Sequence, residues 1–187
     1  AAAPERLLEA DGAWRALRAM PGGSAQAAAW AHDPRVAEAG IRVQLALVEL
    51  DLGRGEQEAA LERLKTTKET LLACPCLTRR WLLGDFVGLC HRQALAQRAR
   101  GRAEVAAAVL TLASELLRQH GHTSGDEGAA VAAGRARILR QLALSQAEQG
   151  DVTAAVSTAR EARALDAPGS RGRAASLSVL LRALSAW

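Results

Sequence analysis

The chain has no tyrosine, a single phenylalanine and only two lysines, Lys65 and Lys68, among its basic residues. It has three cysteines, an odd number, which argues against the disulfide framework that small secreted domains depend on. A reducing compartment is therefore expected, cytoplasmic or nuclear. No apolar run approaches the ~20 residues of a membrane span, so no membrane partner is expected. The start, AAAPERLLEA, has neither an initiator methionine nor a charged stretch followed by an apolar one. The expectation is a soluble chain that forms a segment or processed form of something longer.

Alanine fills the space that aromatics leave. Of 187 residues 49% are hydrophobic and 3% aromatic, and alanine is the best helix former because it loses no side-chain entropy. The composition is that of an all-α protein, long enough for one domain burying roughly 70% of its unfolded surface. The net charge is +4. Arginine supplies nearly all the positive charge, a bias that suits an anion-binding role and equally a GC-rich genome.

Breakers divide the sequence into helical blocks. Pro4 suits a first turn, and Leu7, Leu8, Trp14 and Leu17 follow at near-helical spacing until Pro21-Gly22-Gly23. This predicts a helix over 4–20. A short helix follows over 24–30, and Asp33-Pro34 opens another that runs to 52. Further helices are predicted over 56–73, 77–100, 102–120, 127–149, 152–165 and 171–186. The stretch IRVQLALVELDL alternates like a strand from Ile41 to Leu47, but the parity breaks at Val48 and no second alternating run exists to pair with it. Helix is the better reading there. Gly121 to Gly128 is the one long polar loop, and mobility is expected of it.

Long helices with short glycine-containing connections suggest hairpins in series. Three turns align: GRGEQEAALERL around Gly55, RARGRAEVAAAVL around Gly101 and AEQGDVTAAVSTA around Gly150. In each, a small residue follows the glycine by five: Ala60, Ala106, Ala155. Glycine reaches the left-handed conformation that ends a helix, and a small residue one turn into the next lets two backbones approach.

The third hairpin resembles the tetratricopeptide repeat (TPR) family. Leu142, Ala143, Gly150, Ala155 and Ala162 fall where that family's pattern wants them, Pro168 comes one place late, and Gln146 stands at the usual tyrosine position. The first hairpin keeps Leu47, Gly55, Ala60 and Leu64, with Val48 and Asp51 at the small and aromatic positions; the second keeps Ala94, Gly101, Ala106 and Ala113. The glycines are spaced by 46 and 49 residues, beyond the standard repeat of about 34, so longer helices are implied. The resemblance implies a single TPR-like domain over 1–187, clearest over 34–168, built as an all-α right-handed superhelix. It also implies a scaffold or adaptor that binds a partner peptide or helix in a concave groove lined by the first helix of each pair.

Carried over by position, Arg42, His91, Arg98, Arg137 and Arg140 would face that groove. Guanidinium groups converging there would favour an acidic peptide or chain terminus; the bland alternative is a set of solvated arginines. The last helix bears Leu177, Leu181, Leu184 and Trp187, more apolar surface than one neighbour covers, and is expected to dock back or to self-associate. Arg79, Arg80, Arg92, Arg98, Arg100 and Arg102 crowd one region, with Trp81 and Phe86 as the nearby aromatics, which keeps nucleic acid as a further candidate partner.

Cys74-Pro-Cys76, Cys90-His91 and His120-x-His122 offer the residue types for zinc, but the spacing is not that of a zinc knuckle, and Cys90 sits in the apolar run WLLGDFVGLC. No metal or cofactor is expected. No local motif joins a nucleophile to a base, and no G-x-S-x-G, H-E-x-x-H or phosphate-cradling loop is present. The chain is not expected to be an enzyme.

Overall fold

The computed structural model describes residues 3–19, 34–73, 81–120 and 126–185. Among these, all regular structure is helical: α1 (Ala3–Ala19), α2 (Pro34–Arg54), α3 (Gln57–Ala73), α4 (Trp81–Ala99), α5 (Ala103–His120), α6 (Asp126–Glu148), α7 (Val152–Leu165) and α8 (Arg171–Ser185). The ends fall within two residues of the breakers in the sequence, apart from the start of α4, because residues 74–80 lie outside the described residues. The short helix expected over 24–30 lies outside them too. One expectation is corrected: α6 begins at Asp126, so the last three residues of the polar stretch 121–128 are helical. The alanine-rich sequence that follows favours the helix enough to carry Gly128 in its first turn.

Two compact units divide the chain, Ala1–Leu89 and Cys90–Trp187, with the boundary inside α4. In the first, α1 packs on α2 and α2 on α3. Ile41, Leu45, Val48 and Leu52 are buried at helical spacing along α2, so the stretch that alternates like a strand is a helix that buries one face. In the second unit α5 packs on α6, α6 on α7, and α8 against both α6 and α7. Helix α5 supplies Val109, Leu110, Leu116 and Leu117 to its core, each stabilising by about 1.5–3 kcal/mol as an upper bound. Ala143, Ala159 and Val179 form the contact where α6, α7 and α8 meet, with Leu144 and Leu180 beside it.

The three hairpin turns share one hydrogen-bond pattern. Gly55, Gly101 and Gly150 have φ of 87°, 74° and 82°, in the left-handed region that an L side chain adopts only with strain. The amide after each glycine donates five residues back: Glu56 to Asp51 O at 2.8 Å, Arg102 to Gln97 O at 2.9 Å and Asp151 to Gln146 O at 3.0 Å. Each glycine amide donates three back, to Leu52, Arg98 and Ala147. These bonds satisfy carbonyls the helix end would otherwise orphan. The next helix then starts at once, as Ala60, Ala106 and Ala155 donate to the carbonyls of Glu56, Arg102 and Asp151. All three alanines are fully buried. At the third turn Asp151 also caps α7, its carboxylate accepting from Ala154 N at 3.0 Å. The fold is therefore a set of antiparallel helix hairpins built on a repeated turn.

Candidate functional site

In the first unit the polar groups are drawn inward. Asp11 of α1, Gln44 and Asp51 of α2 and Arg63 of α3 meet between the helices, and all but Arg63 are buried. Arg63 Nη1 donates to Asp11 Oδ2 and Arg63 Nε to Asp51 Oδ2, both at 2.8 Å, while Nη1 also reaches Gln44 Oε1 at 3.3 Å. Gln44 Nε2 donates to Asp11 Oδ1, and Arg15 Nη2 lies 2.9 Å from Asp11 Oδ2. Burial alone would raise the Asp11 carboxyl, but the hydrogen bonds from Arg63, Arg15 and Gln44 hold it below its ordinary range. Burial likewise works against the Arg63 charge, and its bonds to Asp11 and Asp51 more than compensate. This clamp joins three helices and presents little to a ligand. Asp51 at an aromatic position of the repeat was its one trace in sequence.

Of the five cations expected to line a groove, Arg42 is exposed on α2 and paired with Glu38 at 2.8 Å, one turn away. The other four belong to the second unit, and two of them are committed. Arg98 grips Glu148 with both Nε (to Oε2, 2.9 Å) and Nη2 (to Oε1), and Nη1 donates to Gln141 Oε1 at 2.9 Å. These bonds hold the Glu148 carboxyl below its usual range, against a smaller upward push from burial. Arg140 Nη1 contacts both oxygens of Asp166, at 3.1 and 3.0 Å, and Ser176 Oγ at 3.2 Å. Ser176 Oγ in turn donates to Asp166 Oδ2 at 2.6 Å. Arg98 thus staples α4 to α6, and Arg140 staples α6 to the α7–α8 junction. An Arg135–Glu161 pair that the sequence did not suggest adds a tie between α6 and α7.

His91 and Arg137 remain. Arg137 is exposed, and His91, on α4, is held below its ordinary pKa first by partial burial and then by the Arg137 charge. The two therefore share one neighbourhood on first helices. Leu95, one turn along α4 from His91, is 43% exposed.

Helix α8 has one apolar face exposed and one turned inward. Leu177, Leu181 and Leu184 are 40%, 67% and 46% exposed, whereas Val179 and Ala183 turn inward. Trp187 lies outside the described residues, as do Cys74, Cys76, His122, Arg79 and Arg80. Cys90 is buried, and burial pushes its thiol well up; among the described residues no three His, Cys, Asp or Glu side chains are placed to share a metal ion. Phe86 is fully buried and offers no face for a base to stack on. No described helix is long and apolar enough to cross a membrane.

The chain is similar to the crystal structure of a de novo designed helical repeat protein, at 20% identity and a TM-score of 0.54, over 97% of this chain and 93% of that one. No protein-family model and no curated protein matches it. The likeness is one of fold: this is a helical repeat protein.

Proposed function

We propose that the chain is a TPR-like protein-binding module that holds a segment of another protein on the first helices of its hairpins. One asymmetry supports this reading. Among the described residues of the three glycine-turn hairpins, the exposed large apolar side chain is Leu95, on the first helix α4, and the second helices α3, α5 and α7 have none; outside those hairpins Leu8 is exposed on α1 and Leu177, Leu181 and Leu184 on α8. A lone exposed leucine is ordinary, but a run on one helix face is what interaction surfaces present. His91 and Arg137 add a polar site beside Leu95, with Arg137 free of any ion pair among the described residues, so an acidic group of the partner has a cation to meet.

Self-association through α8 is the second reading, favoured by the same leucines. Nucleic-acid binding has less behind it, since Arg98 is bound to Glu148 and Phe86 is buried. The test is affinity capture and identification of a partner, then calorimetric titration of that partner against the wild type, Leu95→Glu and Arg137→Glu. A loss of about tenfold or more in either variant supports the reading; a module that captures no partner, or one that binds all three forms alike, overturns this site.

A further inference from the structure

We infer that α8 docks one amphipathic helix of a partner protein, a helix with leucine-type side chains at heptad spacing and acidic residues along its flanks. This rests on the reading of the chain as a protein-binding module and names the partner's chemistry at one surface. Helix α8 has two faces. Ser176, Val179 and Ala183 are buried on the side towards α6 and α7. Ala174, Leu177, Leu181 and Leu184 are exposed, spaced by three, four and three residues, which is the a/d spacing of a coiled-coil seam. At ~100° per residue the two faces lie roughly 150° apart, so a neighbour that covers one leaves the other open.

Helix α6 gives the contrast. With α5, α7 and α8 all packed on it, it buries Ala136, Ile138, Leu139, Leu142, Ala143 and Ser145. An inner helix of this protein thus carries apolar contact on several sides because several helices meet it. Helix α8 carries a second apolar stripe with no helix on it among the described residues. The stripe spans roughly 15 Å, the length of about two to three helical turns, so its complement is a helix of similar length.

Charge selects among occupants. The sequence of α8, RGRAASLSVLLRALS, contains Arg171, Arg173 and Arg182 and no Asp or Glu. The side chains of these arginines make no ion pair among the described residues, and Arg171 and Arg182 are exposed. Two copies of α8 laid seam to seam would bring like charges to both rims of the contact, which disfavours a second copy. A helix with glutamate or aspartate beside its leucines meets the same rims with opposite charge, which speeds encounter and fixes pairing.

The test titrates the intact chain with three labelled helical peptides that share leucines at a and d and differ in their flanks: all Glu, all Gln or all Lys. Anisotropy should rank them Glu tightest and Lys weakest, with the Glu peptide weakening as salt rises. Leu181→Gln, at an exposed position that leaves circular dichroism unchanged, should cost about tenfold or more. Arg171→Glu/Arg182→Glu should reverse the ranking. Equal affinity for all three peptides, a ranking that the charge swap leaves in place, or no binding at all overturns the proposal. So does concentration-dependent light scattering that Leu181→Gln abolishes, since a second copy would then be the occupant. Sensitivity to Arg137→Glu with none to Leu181→Gln also overturns it while leaving the module reading intact.

Discussion

Gly172 lies so close to Asp166 that a Cβ on the glycine would collide with the aspartate carboxylate. That carboxylate cannot easily give way, because Arg140 and Ser176 both hold it. Gly172→Ala should therefore destabilise by about 1–3 kcal/mol, the usual cost of overpacking a constrained site. Gly134→Ala, within α6 where the added Cβ meets nothing within 4 Å, should stabilise by about 0.5–1 kcal/mol. Urea midpoints of the two variants should move in opposite directions.

Arg63 neutralises two carboxylates that are otherwise buried between α1, α2 and α3. Replacing it with leucine leaves Asp11 and Asp51 without their main partner, and a loss of about 3–5 kcal/mol is expected. Arg63→Leu combined with Asp11→Leu and Asp51→Leu should recover most of that loss, as buried ionic groups often stabilise no more than apolar residues of similar volume. Chemical denaturation followed by circular dichroism measures both.

Gly101 and Gly150 hold positive φ at matching turns, and Gly150→Ala should cost about 1–2 kcal/mol because an L side chain is strained there. Ala155, five residues on, is fully buried. Ala155→Leu should cost at least as much by forcing α6 and α7 apart. Melting temperatures should fall in both variants.

Acid should destabilise the chain in two windows. His91 and His120 are held below their ordinary value by burial, with Arg137 adding to the effect at His91. Protonation then favours the unfolded state, so this contribution is complete above about pH 6.5 and is lost as the pH falls through the lowered native values. Asp11 and Glu148 are also lowered, and their contribution persists down to about pH 4 before it is lost. A urea midpoint plotted against pH should fall in both ranges, and His91→Gln should flatten the upper one.

Cys90 is fully buried and its thiol is pushed well up by that burial. Thiolate, not thiol, is the nucleophile. Iodoacetamide should leave Cys90 unlabelled in the folded protein and modify it readily in urea, with mass spectrometry resolving the site.

The sequence by itself determined the helices and their turns, because both are local. Alanine propensity, the spacing of breakers and glycine's access to positive φ act within a few residues, so Gly55, Gly101 and Gly150 and the alanines five places on could be read directly. The exposed stripe of α8 was legible for the same reason: Leu177, Leu181 and Leu184 exceed what one neighbour can cover. Tertiary structure decided which charges are spent. Nothing near Arg98 in sequence announces Glu148, 50 residues on, nor does Arg140 announce Asp166 and Ser176; such pairs form only when helices far apart in the chain lie side by side. The same holds for Asp11 and Arg63, each of which reads alone as an ordinary surface charge; only Asp51, at an aromatic position of the repeat, left a trace of the clamp they form. The helical code is short-range, whereas the fate of a charge depends on whatever the fold places opposite it.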